Sequence, residues 1–362
     1  MIGQTLLVGV PGKTLDSDTA ALLRRIQPGG FIIFSRNIES PTQLRQLLDD
    51  LRAISDVEPI ITIDQEGGRV SRLREIGHEP PNAQQLRQKG DLDLITWHGR
   101  LTGHLLRLFG FNLDLCPVLD ISFDDEADNS VKGRCYGTNV AQVIQLAGAF
   151  NDALRGTGIL SCGKHFPGYT SAGLDPHHEL PAISRSKELM EEHELAVFRY
   201  FADKVDSMMT GHIAIDGLDT SGLPASLSPA ITTDLLKKDV KFAGLTMTDD
   251  LDMGAILNHY GLPDTLRMAL EAGNDLLMIC HRVEMIAEAY DIVKALPASA
   301  VDPALENIAK FKRHLAPPDA FSIAAHTELD GEVRKLRAAT LGEAEADRHS
   351  PEDGKRSPVE LY

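Results

Sequence analysis

Short, nearly uninterrupted apolar runs recur along the chain, and each is followed by a stretch whose apolar positions fall at helical spacing. The runs are TLLVGV (5–10), GGFIIF (29–34), PIITID (59–64), LDLCPVL (113–119), ILSCGKH (159–165), SMMTGHI (207–213), GLTMTDD (244–250) and DLLMIC (275–280). Helical patterns follow at 16–26, 41–54, 92–109, 139–156, 186–204, 229–238, in pieces over 251–271, and at 282–295, with a further helix predicted at 303–315. Runs without polar alternation are what strands buried on both faces look like. Eight such strands alternating with helices predict an α/β fold, a TIM-type (β/α)8 barrel. An open doubly wound sheet would gather its ligand groups near one switch point, whereas here polar clusters follow many of the runs. We therefore expect a single catalytic barrel domain over 1–316 and a peripheral, partly disordered C-terminal tail over 317–362, with disorder toward 346–362.

At 362 residues the chain is long enough for one such barrel. The formal net charge of −17 argues against nucleic acid or an anionic membrane as the main partner, and favours a small or neutral substrate. No stretch approaches the ~20 apolar residues of a membrane span, and the N-terminus lacks a signal-peptide pattern, so a cytoplasmic protein is expected. The four cysteines show no CxxC pairing; Cys116, Cys162 and Cys280 sit in apolar runs and read as reduced core residues.

In a barrel, the groups at the C-terminal ends of successive strands converge on one mouth. The third run supplies DQEGGRVSRL, with Asp64, Glu66, Arg69 and Arg72 around two glycines that let the backbone turn beneath a ligand. Arg134 follows the fourth run, Lys164 and His165 end the fifth, His212 the sixth, and Asp249 and Asp250 the seventh. After Lys164 and His165 the chain enters a stretch rich in Gly and Pro that carries Asp175, His177 and His178. So many acids, bases and hydrogen-bonding groups suit a polyhydroxylated ligand, whose hydroxyls need partners on leaving water. Taken singly, several have a second reading. Asp249 suits a helix cap as well as a catalytic carboxylate, His212 a satisfied core histidine as well as a wall of the site, and Lys164 and His165 a buried ion-pair network. Glu66 and Arg69 read as structural members of the turn.

The motifs ITIDQEGGRVSRL (61–73), GFNLDLCPVLDI (110–121), KHFPG with DPHHELP (164–168, 175–181) and LTMTDDLDMGAI (245–256) resemble glycoside hydrolase family 3, in its single-domain β-N-acetylhexosaminidase branch. The resemblance implies retaining exo-hydrolysis of terminal β-linked N-acetylglucosamine, with peptidoglycan-derived fragments as the natural substrate in a bacterial host. It makes Asp249 the nucleophile, Asp175 and His177 the acid/base dyad, and Asp64, Arg72, Arg134, Lys164 and His165 the sugar contacts. No metal and no organic cofactor is implied, and a monomer is favoured. The family's PGHG is replaced here by Pro167-Gly168-Tyr169-Thr170, its DSH serine by Pro176, and its RSFG-like segment by Arg134-Cys135-Tyr136-Gly137. A phosphorylase on the same barrel is a near rival, because a neutral or cationic histidine does not repel phosphate. Rivals of other classes are a metal-dependent amidohydrolase built on His165, His177, His178, His212 and Asp249, and a sugar-binding barrel without turnover.

Overall fold

The computed structural model describes residues 1–127, 129–169 and 180–350. Among them eight parallel strands close a barrel in chain order: β1 (Leu6–Gly9), β2 (Gly30–Ile33), β3 (Ile60–Ile63), β4 (Leu113–Asp114), β5 (Leu160–Phe166), β6 (Ser207–Thr210), β7 (Leu245–Asp250) and β8 (Leu276–Ile279). β1 pairs β8 in the register Leu6↔Leu277, Leu7↔Met278, which leaves the sheet without an open edge. The barrel expected from the apolar runs is the fold observed.

Alternation along each strand separates two cores. Leu7, Ile32, Met209, Met247 and Met278 point inward and fill the barrel, while Val8, Phe31, Ile33, Met208 and Ile279 pack beneath the outer helices. The sequence suggests barrel filling for all of Met208, Met209 and Met247; Met208 instead faces outward, because adjacent strand residues take opposite faces. Both faces are dry, so the runs carry no polar alternation.

The outer layer includes α1 (Ser17–Ile26), α2 (Pro41–Ala53), α3 (Leu92–Phe109), α4 (Val140–Arg155), α5 (Glu194–Phe201), α6 (Leu262–Ala272), α7 (Ile286–Ala295) and α8 (Ala298–Lys312). Local chemistry starts several of them: Asp16 caps α1, Ser40 with Gln43 forms a capping box ahead of Pro41 in α2, and Asn139 caps α4. α3 and α4 approach closely because Gly99 presents no Cβ; one there would lie 2.4 Å from the Phe150 carbonyl oxygen. A π-helical segment, Ala230–Asp239, connects β6 to β7. α8 begins at Ala298, not at Pro303, and its Ile308 and Phe311 close the far end of the barrel core.

Two differences concern the mouth. β4 ends at Asp114, short of the expected Leu119, because Pro117 has no N–H for the ladder; pairing resumes in a single bridge, Val118↔Lys164. After β3 the chain forms a small hairpin, Gln65–Gly67 with Val70–Ser71, and a short helix, Ala83–Lys89, where only a loop is expected.

Beyond α8, Ile323–Leu341 form α9, which lies along α3 with the Phe109 ring 5.5 Å from His326. Arg337 donates to the backbone oxygen of the buried Glu79 at 3.1 Å, and His78 Nδ1 lies 2.8 Å from Asp330. Residues 351–362 of the predicted tail lie outside the described residues. No helix among the described residues is long and apolar enough to cross a membrane.

Candidate active site

At the end of β3 the chain must reverse tightly while keeping its side chains in the mouth. Gly67, at φ 103°, makes this turn; a Cβ there would lie 2.3 Å from the Pro81 carbonyl oxygen. Gly68 then donates its N–H to the Pro80 oxygen at 2.8 Å, fastening the hairpin to the chain behind it. The turn delivers Asp64 and Glu66 into a buried ionic network. Lys164 Nζ, at the end of β5, donates to Asp64 Oδ1 at 2.6 Å and lies 2.7 Å from Glu66 Oε1. Arg134 grips Glu66 with two parallel bonds of 2.8 and 2.7 Å. Burial alone would raise the Glu66 carboxyl, but the adjacent Arg134 and Lys164 charges outweigh it and hold the group well below the usual carboxylate range. Burial would likewise lower Lys164, and the Asp64 and Glu66 charges reverse that, keeping it cationic.

His165 follows Lys164 across a cis peptide bond, and its side chain is fixed from below. Asp120 accepts the His165 backbone N–H at 3.1 Å and lies 2.8 Å from Nδ1, so Nδ1 carries the proton shared with the carboxylate. The other oxygen of Asp120 accepts the Tyr169 N–H at 2.7 Å. One carboxylate thus sets the positions of both neighbours.

At the end of β7, Asp249 Oδ1 accepts the N–H of Asp250 at 2.9 Å, and Oδ2 lies 3.4 Å from the Tyr169 hydroxyl. Asp250 ties β7 to the end of β8 by accepting the Cys280 N–H at 3.1 Å. Asp252 accepts the N–H groups of His281 and Arg282 at 2.9 and 2.8 Å. Burial, then the nearby Asp252 charge, pushes the Asp250 carboxyl well above its ordinary value. From β2 and β8, Arg36 Nη1 donates to His281 Nδ1 at 2.9 Å, and the Phe34 ring stacks 4.6 Å from His281.

These elements line one pocket at the barrel mouth. Asp64, Arg134, Lys164, His165, Tyr169 and Asp249 line it, over a floor that includes Ile32, Leu115, Met209 and Met278. Five of the sequence-predicted residues, Asp64, Arg134, Lys164, His165 and Asp249, are therefore brought together. Arg72 stands just behind, with Nη2 3.7 Å from Asp64 Oδ2 and its guanidinium over Phe34. His212 is corrected: it is fully buried beneath the floor, with Nδ1 2.7 Å from Ser226 Oγ and Nε2 2.8 Å from the Asp250 carbonyl oxygen. Both ring nitrogens are engaged in holding backbone and hydroxyl, which leaves the histidine in the supporting core. Asp175 and His177 lie outside the described residues, as does His178.

The sequence reads Glu66 as a structural member of its turn and assigns no role to Asp120, Tyr169 or His281. Glu66 was legible as an acid beside the paired glycines, and Asp120 as the lone carboxylate in CPVLDI; neither pattern says which cation or imidazole it meets. Chemically, the pocket offers a carboxylate at Asp249 opposite a wall of cations and acceptors able to hold hydroxyls.

Residues 1–311 match the family model of the glycosyl hydrolase family 3 N terminal domain. A beta-hexosaminidase of Alkalilimnicola ehrlichii is 34% identical over 288 residues, covering 78% of this chain and 82% of that one. A beta-hexosaminidase of Photobacterium profundum is 33% identical over 306 residues, covering 83% and 89%. Among solved structures, a family 3 beta-N-acetylglucosaminidase from a Paenibacillus species superposes with a TM-score of 0.85 at 30% identity, over 94% of this chain and 68% of that one. Native NagZ from Neisseria gonorrhoeae gives 0.79 at 26% identity, over 95% and 97%.

Proposed function

The chain belongs to glycoside hydrolase family 3, and from that premise we propose that it removes terminal β-linked N-acetylglucosamine by double displacement at Asp249. The enzyme is a glycoside hydrolase; the sugar, the stereochemistry and the residue roles are our reading. The observation that carries it is the Asp249 carboxylate in one pocket with Asp64, Arg134, Lys164 and His165.

In the first step Asp249 forms a bond to the anomeric carbon as the bond to the aglycone oxygen breaks, and that oxygen takes a proton from the general acid. In the second, water attacks the same carbon, the electron pair of the breaking C–O bond returns to the carboxylate, and the proton from water passes to the base. We assign acid and base to His177, oriented by Asp175, because an imidazole exchanges protons near neutral pH. Asp64, Arg72, Arg134, Lys164 and His165 hold the sugar; His212 supports the floor beneath it. The catalytic unit spans 1–316 with 317–362 at its periphery, and acts as a monomer in the cytoplasm on peptidoglycan-derived fragments.

The test is hydrolysis of a chromogenic β-N-acetylglucosaminide beside the matching β-glucoside. A preference for the N-acetyl sugar of ~100-fold or more in kcat/KM is expected, because a site built to bond a polar group rejects the analogue that lacks it. Equal rates, or turnover of neither, would overturn the substrate assignment.

A further inference from the structure

Tyr169 occupies the position where the resemblance pattern carries histidine, and it is built into the site from every side. Its N–H is held by Asp120, its ring tilts against His165 with centroids 5.0 Å apart, and only 3% of it is exposed. Gly211 makes room for the ring: a Cβ there would lie 2.9 Å from Tyr169 Cζ. The hydroxyl oxygen accepts the backbone N–H of His212, so its single proton must point elsewhere. Asp249 Oδ2 lies 3.4 Å away, a long contact of the kind that tightens when a substrate closes the site. Burial and the Asp249 charge push the phenol well above its ordinary value, which keeps it a donor.

We propose that Tyr169 is a catalytic donor to the nucleophile, selectively assisting hydrolysis of the covalent intermediate by hydrogen-bonding the Asp249 carboxylate as it departs. The inference rests on the reading of Asp249 as nucleophile. During attack, negative charge on Asp249 fades as the C–O bond forms, so the bond from Tyr169 weakens and gives no help. During hydrolysis the electron pair returns to Asp249 Oδ2 and the same bond strengthens toward the transition state. A donor to this oxygen therefore favours the second step over the first.

The experiment compares wild type with Tyr169→Phe, which keeps the ring against His165, on an activated aryl β-N-acetylglucosaminide under steady-state and stopped-flow conditions. A charged hydrogen bond of this kind corresponds to a ~10-fold to 100-fold rate effect. The variant is expected to lose about that factor in kcat, to lower KM in parallel, to keep kcat/KM within ~3-fold, and to release aryl alcohol in a burst matching the enzyme concentration. An unchanged kcat, or equal losses in kcat and kcat/KM without a burst, overturns the role. A 5-fluoro glycosyl fluoride trap on the wild type, followed by peptide mapping, separates the two levels. A label away from Asp249 sinks the nucleophile reading; a label on Asp249 with no burst in Tyr169→Phe sinks the Tyr169 role alone.

Discussion

The two walls of the mouth handle buried charge in opposite ways. On the β3–β5 wall, Glu66 meets Arg134 and Lys164 at salt-bridge distance and is held ionised. On the β7–β8 wall, Asp250 meets the Asp252 carboxylate and backbone N–H groups, and is pushed well above the usual carboxylate range. One wall is a fixed array of charges suited to holding a ligand; the other fixes the Asp249 carboxylate through the Asp250 N–H. The walls also titrate with opposite sign. Glu66 has a depressed folded value, so its contribution to stability is full above the unfolded pKa of ~4.3 and is lost as pH falls from there through the lower folded value. Asp250 has a raised folded value, so the folded state keeps a proton that the unfolded chain releases near ~3.9, and its contribution declines as pH rises.

Three substitutions break this comparison at different depths. The largest effect is expected from Asp249→Ala, which removes the proposed nucleophile and should lower kcat on the order of 10⁴-fold with little change in unfolding by urea. Next is Lys164→Met, which strands Asp64 and Glu66 without their shared cation in a site where Lys164 is 1% exposed. It should cost about 3–5 kcal/mol in a urea titration and raise KM as the gripping wall loosens. The smallest is Asp250→Asn, which copies the protonated acid in shape and can keep the bond from the Cys280 N–H. Near pH 4 its stability should fall within about 1 kcal/mol of wild type. Its advantage should then grow with pH, because the slope contributed by Asp250 is gone; a slope identical to wild type would show that Asp250 is ionised in the fold.

The barrel was legible because strands dry on both faces write themselves as apolar runs, and every strand from β1 to β8 coincides with a predicted run, β5 alone passing its end by one residue. The short β4 was not, since its end is set by the missing N–H of Pro117 meeting a ladder visible only in three dimensions. Asp64, Lys164 and Asp249 were legible as charges at strand ends, and the structure brings them to one pocket. Partnership was harder to read: Glu66 looks like a turn acid until Arg134, 68 positions later, is brought against it. His212 shows the reverse error, a polar residue at a strand end that turns inward because Ser226 and the Asp250 carbonyl both offer it partners.

The most direct measurement of the central claim is the first-formed anomer of the released sugar, followed by proton NMR from the moment enzyme is added to a β-N-acetylglucosaminide. Double displacement at Asp249 requires the β anomer to appear first and the α anomer to grow in only as mutarotation proceeds. Initial appearance of the α anomer would mean a single displacement by water, and would contradict a covalent intermediate on Asp249.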